Sequence, residues 1–438
     1  MPIMGMDTIK LPLIEKRLQR RYLTLVKSHL HMAPELAAGV PSLPTVTTAF
    51  AATQAAWRFL NNDRVTLPAL AEPLRDAGRT ALARSHSKFA LLVHDWSKLT
   101  YPTSGGKLDL VQLTHATDIG YELTTALLVR ADGVPLAPME IHLRTKQGLL
   151  STRPDARQEG HLEQVLPTMK ASKTWQLDKP LLHVIDREAD SVDHYRRWDA
   201  AGHKFLVRAD DRRVKHAKKS RRLSDLANQV YAEEKFQAAG EAAYQGKSGT
   251  LWVAELEVTL DRPAKKKIDG KSVSKPGKAL RLRYVIAEVR DESGKTLARW
   301  MLLSNAPQSW ATTEELARGY YYRWQIESFF KLLKSHGSQL ENWQQETGVA
   351  IARRLLVAAM ACVLVWQLQA DESKEGKEFR DVLVRLSGRQ TKRKKPHTAP
   401  ALLAGVWILI SMLTLLDHYN LHNLRQLACK FIPLLSTA

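Results

Sequence analysis

The pattern of hydrophobic and polar positions is helical at the start of the chain. Residues Leu11 to His31 predict a basic amphipathic helix, because leucines recur at helical spacing between lysines and arginines. A second helical pattern runs from Thr45 to Arg84. Together these segments predict a small, all-helical N-terminal domain over residues 1–84.

From Phe89 the pattern becomes that of an α/β domain. The apolar runs FALLV and LLHVI end at Asp95 and Asp186, with only a His between the first run and its aspartate. Two further strand-like runs flank Ala-Asp-Gly at residues 131–133, which is a hairpin signal, and residues 154–173 have a helical pattern. In this order the first and last strands can lie side by side. Both aspartates would then emerge from neighbouring strand ends, where α/β sheets bind their ligands.

The pattern beyond residue 190 changes twice more. A helix near residues 191–201 and a strand at KFLVRA precede a largely β region with basic loops, at about 210–305, and helix resumes at Thr312. An apolar helix over Leu355 to Leu368 and a stretch without charge, Ala399 to Leu416, then predict a C-terminal helical region, residues 351–438.

The uncharged stretch approaches the lower length limit of a membrane span. Pro400 and Gly405 dilute it, and nothing else in the sequence suggests a second span. A buried helix or a subunit interface is therefore the favoured interpretation. The protein is expected to be soluble and cytoplasmic, with no membrane partner.

Charge points to the partner of this protein. The 438 residues carry 65 Lys and Arg against 45 Asp and Glu, a net charge of +20. The excess is local: residues 204–222 and 261–283 each hold nine cations and two acids. A polyanion binds such segments by releasing its counterions, so nucleic acid is the leading partner and an anionic membrane the second. The linker at residues 385–395, with six cations and no acid, is either a solvated loop or a DNA contact.

The segment from Glu314 to Ser335 concentrates chemistry on one face of a predicted helix. At about 100° per residue, five polar side chains fall within an arc of about 80°: Tyr320, Arg323, Glu327, Lys331 and Lys334. Ile326, Phe329 and Leu333 fall on a separate, packed face. A solvated face would give the same pattern, but a single carboxylate among cations and a phenol favours a phosphate site.

Two aspartates and a glutamate suggest a metal site. Asp95, Asp186 and Glu327 can together hold two divalent ions. Carboxylate oxygens suit Mg²⁺ or Mn²⁺. Since the chain holds 45 acidic residues, three scattered carboxylates are weak evidence by themselves.

These residues resemble a known family. The spacing Tyr320, Arg323, Glu327, Lys334 is similar to the Tyr-x2-Arg-x3-Glu-x6-Lys signature of the cut-and-paste branch of bacterial insertion-sequence DDE transposases. VHDWSKLTY and HVIDREAD resemble the family's first and second aspartate motifs, although Trp96 stands where many members have a small hydroxyl residue. The resemblance implies an α/β fold with a ribonuclease-H-like mixed sheet core over residues 85–350. In this core a β insertion precedes the last catalytic helix, and one helical domain flanks the core at each end of the chain.

The resemblance also implies a reaction, ligands and partners. Asp95, Asp186 and Glu327 would hold two Mg²⁺ or Mn²⁺ ions that cut transposon ends and join them to target DNA. The partners would be the double-stranded terminal inverted repeats and target DNA, bound by a homodimer in the cytoplasm at the nucleoid. Five residues resemble phosphate-binding or DNA-binding positions: Tyr320, Arg323, Lys334, Arg208 and Arg58. Lys331 joins them as a candidate phosphate contact because it lies on the same polar helix face. Trp300 resembles the tryptophan that stacks on a flipped base.

Two other interpretations of the sequence remain open. One is a ribonuclease-H-like nuclease that cuts DNA without joining it, and the other is a catalytically inactive DNA-binding regulator. The complete set of carboxylates and signature residues favours the active transposase.

Overall fold

The N-terminal segment forms three helices that share the core of the rest of the molecule. The computed structural model describes residues 9–30, 46–101, 106–115, 117–268, 271–334, 338–389 and 397–432. Helices α1 (Lys16–His29), α2 (Val46–Leu60) and α3 (Leu67–Ala83) confirm the predicted helical pattern. Thr66 caps α3 by accepting a hydrogen bond from the Ala69 N–H at 3.3 Å. Tyr22, Phe59 and Leu70 belong to one hydrophobic cluster with the central sheet.

The middle of the chain builds a large mixed sheet with helices packed against it. Its first elements are β1 (Ala90–Thr100), β2 (Val111–Gln112), β3 (Ile119–Arg130), β4 (Pro135–Thr145), β5 (Gly148–Ser151), α4 (His161–Ser172), β6 (Leu181–Ile185), α5 (Val192–Ala200) and β7 (Lys204–Arg208). Strand β3 pairs antiparallel with both β1 and β4, which confirms the predicted hairpin at residues 131–133. Strands β1, β6 and β7 run parallel side by side.

The prediction that both aspartates lie at strand ends is wrong for one of them. Asp186 follows the last residue of β6, as predicted. Asp95 lies inside β1, because the strand continues to Thr100 by pairing with β3, with Asp95 opposite Thr125. The parallel pairing with β6 stops at His94 and Ile185, so Asp95 and Asp186 still lie next to each other at the point where β6 ends.

The region at about residues 210–305 is largely β-structure, and its strands extend the main sheet. It contains β8 (Arg213–His216), β9 (Lys219–Arg222), α6 (Leu223–Ala232), β10 (Gln237–Tyr244), β11 (Lys247–Leu260), β12 (Ala264–Ile268), β13 (Lys271–Lys275), β14 (Leu280–Arg290) and β15 (Thr296–Ser304). Strand β15 pairs with β7, so the described strands form the order β5-β4-β3-β1-β6-β7-β15-β14-β11-β8-β9. Among the described residues, strands β12 and β13 pair only with each other.

The predicted helix from Glu314 to Ser335 is in fact two helices. Helix α7 (Thr313–Tyr321) ends before Arg323, and α8 (Trp324–Leu333) follows it; residues 335–337 lie outside the described chain. At the break the Arg323 N–H bonds to the Tyr320 carbonyl, three residues back, at 3.0 Å. The turn of the β3–β4 hairpin holds this break, since a Cβ on Gly133 would lie 2.4 Å from the Tyr322 ring. The Gln325 side chain also donates to the Gly133 carbonyl at 2.8 Å.

The C-terminal region contains four helices that differ greatly in burial. They are α9 (Gly348–Ala370), α10 (Lys374–Leu386), α11 (Ala399–Leu416) and α12 (Leu421–Phe431). Helix α9 crosses the core, which confirms the predicted apolar helix. In α11 only Ala401, Leu402, Leu403 and Gly405 are buried, so the interpretation of Ala399 to Leu416 as a buried helix is wrong for most of its length in the single chain. Most of the basic linker, residues 390–396, lies outside the described residues.

Two helices in the described part of the chain are long and apolar enough to cross a membrane by length and composition. They are α9, which is 89% buried over its most apolar window, and α11, which is 28% buried. The first is the core helix of the fold. The predicted division at residues 84 and 350 stays a prediction, because α1, α2, α3 and α9 share one core with the sheet.

Candidate catalytic cleft

The three predicted carboxylates line one open cleft. Asp95 on β1, Asp186 after β6 and Glu327 on α8 border a space of about 370 Å³. Helix α7 packs tightly on these strands, since a Cβ on Gly319 would lie 3.3 Å from Leu91. This packing fixes the start of α8, and therefore Glu327, over the two aspartates.

Arg323 joins two of the carboxylates. Its Nη1 donates to Asp95 Oδ2 at 2.8 Å and its Nη2 donates to Glu327 Oε1 at 2.5 Å. The break between α7 and α8 places Arg323 at the N-terminal end of α8, one turn before Glu327. The predicted common face of Arg323 and Glu327 is therefore preserved although the helix is interrupted.

The two aspartates differ in acidity. Burial raises the pKa of Asp95 to about 6, and the charges of Asp186 and Glu327 add to this effect against the opposing charge of Arg323. Burial also raises the pKa of Asp186, but Arg323, the Arg187 backbone N–H and the Tyr320 hydroxyl outweigh it, so the net pKa is lowered. Neighbouring carboxylates with pKa values moved in opposite directions are typical of a functional site.

Tyr320 and Arg208 lie close to Asp186, and Trp300 lies beside Tyr320. The Tyr320 hydroxyl donates to Asp186 Oδ1 at 2.9 Å. Arg208, at the end of β7, is near enough for its charge to lower the pKa of Asp186. The Trp300 ring is 5.9 Å from the Tyr320 ring and 6.4 Å from the Tyr321 ring. These residues form the side of the site that faces the insertion.

The other predicted cations are divided between the cleft and the surface. Lys331 and Lys334 line the cleft. Lys334 also donates to the Lys98 carbonyl and lies 3.4 Å from Glu341. Arg58 lies exposed on α2 and is not among the residues that border the cleft.

A second group on the cleft wall was missed by the sequence analysis. The Trp96 indole N–H donates to Glu188 Oε2 at 3.0 Å, and its ring stacks on His161 with 4.1 Å between centroids. His161 lies between Glu188, at 3.0 Å, and Glu122, at 3.3 Å. Burial would lower the pKa of His161, but these two carboxylates raise it overall. The only sequence signal was Trp96 itself, an aromatic residue beside the first aspartate.

The carboxylate oxygens fit hard divalent ions in chemical type. In the part of the chain that the structure describes, however, no three His, Cys, Asp or Glu side chains lie together in a group that could hold a metal ion. Asp95 and Glu327 are bridged by the Arg323 guanidinium, which supplies the positive charge between them. Metal binding would therefore require this side chain to withdraw.

Fold and cleft together define a mixed α/β protein with an acidic centre and a cationic rim. The model of the transposase DDE domain family matches residues 140–364. Because this match spans more than half of the 438 residues, the chain belongs to the DDE-domain transposases. The matched range contains Asp186 and Glu327, and Asp95 lies before it.

Comparisons with curated proteins and with solved structures give no further support for a function. No curated protein matches the chain. A cryo-EM structure of a piggyBac transposase synaptic complex with hairpin DNA is similar over 92% of this chain and 72% of that one, at 10% identity and a TM-score of 0.37. A likeness this weak carries no argument about the site.

Proposed function

We propose that this transposase cuts DNA at transposon ends and joins those ends to target DNA. The observation that carries the proposal is the meeting of Asp95, Asp186 and Glu327 around one open cleft whose rim carries Arg323, Lys331 and Lys334. The cleavage of a phosphodiester needs both the carboxylates and the cations. The carboxylates would hold cations at the reacting phosphate, and the cationic rim would neutralise the neighbouring phosphates. The Tyr-Arg-Glu-Lys spacing supports membership of the cut-and-paste, insertion-sequence branch.

The catalytic core is proposed to be ribonuclease-H-like. The strand order β4-β3-β1-β6-β7 supports this, because β3 is antiparallel to both β1 and β4 whereas β6 and β7 run parallel to β1. The carboxylates then belong to the central strand, its parallel neighbour and the helix after the insertion.

Asp95, Asp186 and Glu327 would hold two Mg²⁺ or Mn²⁺ ions. When bound, such ions lower the pKa of a water or a 3′ hydroxyl and stabilise the leaving oxygen. Arg323 would release Asp95 and Glu327 and turn its guanidinium to a phosphate, which it can bind with two parallel hydrogen bonds. The Tyr320 hydroxyl, bonded to Asp186 in this structure, orients that carboxylate.

The DNA partners are proposed to be double-stranded terminal repeats and target DNA. Trp300 sits in a cluster of aromatic rings, with Tyr244 at 6.2 Å and Tyr320 at 5.9 Å, which suits stacking on an extruded base. Arg208 beside Asp186 would bind an adjacent phosphate. Arg58, exposed on α2, would contact DNA away from the cleft.

A second copy of the chain is proposed to cover α11 and α12. These helices expose Met412, Leu413, Leu416, Leu427 and Phe431, each at least 43% accessible. A surface of this kind marks a protein contact. A homodimer assembled on DNA at the nucleoid, in the cytoplasm, would bury it without a membrane.

The test uses the full chain and the inverted repeats that flank its gene. Incubation with Mg²⁺, a labelled repeat and a plasmid should yield plasmid joined to the repeat. Cleavage without joining would indicate a nuclease instead. Binding without cleavage in either Mg²⁺ or Mn²⁺ would indicate an inactive regulator, and either result would overturn the proposal.

A further inference from the structure

The hairpin formed by β8 and β9 exposes a cluster of positively charged side chains, and most of them form no ion pair with a described carboxylate. Its two strands pair from Arg213 opposite Arg222 to His216 opposite Lys219. Six exposed cations lie on it: Arg213, Lys215, Lys218, Lys219, Arg221 and Arg222. Lys215 lies 2.5 Å from Asp261 and Arg222 lies 3.0 Å from Asp211. The other four have no carboxylate partner among the residues that the structure describes.

The charge arrangement is unfavourable for the hairpin itself. Arg213 and Arg222 face each other directly across the two strands, and like charges in such a pair are destabilising. Asp211 offsets the charge of Arg222 in part, but Arg213 has no such partner among the described residues and all four residues of β9 are exposed, so part of this repulsion remains. An anion bound between the strands would remove it.

The tip of the hairpin is also unfavourable. Ala217 and Lys218 both adopt left-handed backbone conformations, with φ of 46° and 64°. Glycine or asparagine is the usual residue at such turn positions. This turn places Lys218 at the tip of the hairpin, next to Lys219 at the end of the paired strands.

The base of the hairpin is fixed to the segment that follows Asp186. Buried Asp190 accepts a hydrogen bond from the Asp210 N–H at 2.7 Å and pairs with Arg212 at 2.6 Å. Val214, in β8, and Leu223, directly after β9, are buried in a hydrophobic cluster separate from the one around the central sheet, together with Phe205 and Tyr284. The exposed cations therefore project from a rigid base tied to the second aspartate motif.

We propose that the β8–β9 hairpin binds the phosphate backbone of duplex DNA outside the cleft, without reading base sequence. This inference rests on the proposed transposase function. Its arginines and lysines suit phosphates, and no Phe, Tyr or Trp lies on Arg213–Arg222 to stack on bases. The hairpin thus holds DNA beside the second aspartate motif whatever its sequence.

Salt dependence provides the test, because each phosphate contact adds about 0.9 to the slope of log K against log salt concentration. The probe is a labelled duplex of about 30 bp and arbitrary sequence, titrated with the full chain between about 50 and 300 mM NaCl. The variant Lys218→Gln/Arg221→Gln should reduce the slope by about 1.8. The matched control Lys374→Gln/Lys377→Gln removes two exposed lysines that pair with Glu378 and Glu372, and should leave the slope unchanged.

Arg213→Gln separates a binding role from a structural one. Removal of repulsion from Arg222 should leave the melting temperature unchanged or slightly higher, while the salt slope falls by about 0.9. Equal slopes for the hairpin variant and the α10 control would overturn the proposal. So would a lower melting temperature of Arg213→Gln with an unchanged slope. Absence of end cleavage by the unmodified chain would instead overturn the proposed function and leave the slope comparison intact.

Discussion

Two arginines that pair with carboxylates show how this molecule separates stability from function. Arg283, on β14, donates twice to Glu255, at 2.6 and 2.8 Å, and also to the carbonyls of Ala306 and Ala311. Thr313 donates to the same glutamate at 2.6 Å. Arg323 instead divides its guanidinium between Asp95 and Glu327 in an open cleft. The first pair is saturated within the protein, whereas the second leaves one oxygen of Glu327 without a hydrogen bond from any described residue and borders the open cleft.

The acidity of the carboxylates shows the same contrast. Burial raises the pKa of Glu255, but hydrogen bonds from Arg283 and Thr313 outweigh it and the net pKa is lowered. The pKa of Asp95 is raised to about 6 despite its arginine, because burial and two further carboxylates act against the ionised form. A carboxylate whose pKa is raised although an arginine pairs with it is of the kind expected at a functional site, so Asp95 is the candidate of the two.

The largest expected effect follows from the loss of one cleft carboxylate. Asp186→Asn should reduce end cleavage by at least about 10²- to 10³-fold, the magnitude seen when one electrostatic stabiliser of a transition state is removed. The melting temperature should fall only slightly, because the lowered pKa of Asp186 means that its ionised form contributes some stability to the folded protein. Single-turnover cleavage of a labelled terminal repeat measures the rate. Unchanged cleavage would mean that this cleft is not the catalytic site.

The Arg283–Glu255 pair should respond in the opposite way to substitution, with a loss of stability in place of a loss of cleavage. Arg283→Met leaves Glu255 without its main partner and should lower the free energy of unfolding by about 3 kcal/mol. Urea unfolding of the full chain measures this change. In a double-mutant cycle, Arg283→Met/Glu255→Leu should recover most of the loss, because no unpaired charge remains. A cost for the double variant as large as for Arg283→Met alone would show that the pair is not what stabilises this region.

The sequence predicted which residues meet in the cleft, but it did not predict the backbone geometry that brings them together. Asp95 and Asp186 could be predicted as neighbours because each follows closely on an apolar run, and such runs pair in parallel within a buried sheet. The continuation of β1 past Asp95 could not, since the polar segment WSKLT extends the strand by pairing with β3, and its own sequence gives no signal of that pairing. The Tyr320, Arg323 and Glu327 spacing gave the right face of the helix.

Long-range contacts explain what sequence periodicity missed. The break between α7 and α8 depends on the turn at Gly133, which contacts Tyr322 and Gln325 from a distant part of the chain. The setting of Trp96 depends on Glu188 and His161, which follow it by many residues. Neither contact leaves a periodic signal in the sequence.

A smaller effect is expected at the aromatic side of the cleft. Trp300→Ala should weaken binding of a terminal repeat whose extruded base is 2-aminopurine by about 1–3 kcal/mol, the value of one base–aromatic stack. Quenching of 2-aminopurine fluorescence measures the contact directly, and Trp300→Phe should retain part of it. Trp310→Phe is the matched control, because Trp310 stacks on Phe89 with 5.4 Å between centroids, outside the cleft lining. Equal quenching by Trp300→Ala and the unmodified chain would exclude stacking.

The smallest expected effect comes from substitution of Arg323, and it distinguishes this arginine from Arg283 most directly. Arg323→Gln removes the positive charge between Asp95 and Glu327, so without divalent ions the variant should lose about 1 kcal/mol of stability, a fall of about 2 °C in melting temperature. Mg²⁺ should then raise the melting temperature more in the variant than in the unmodified chain, because the ion no longer competes with a guanidinium and binds the folded state more tightly. Arg283→Met should leave the Mg²⁺-induced shift unchanged, since its glutamate lies outside the cleft lining. An equal or smaller shift for Arg323→Gln would mean that Arg323 does not occupy the place of the metal ions.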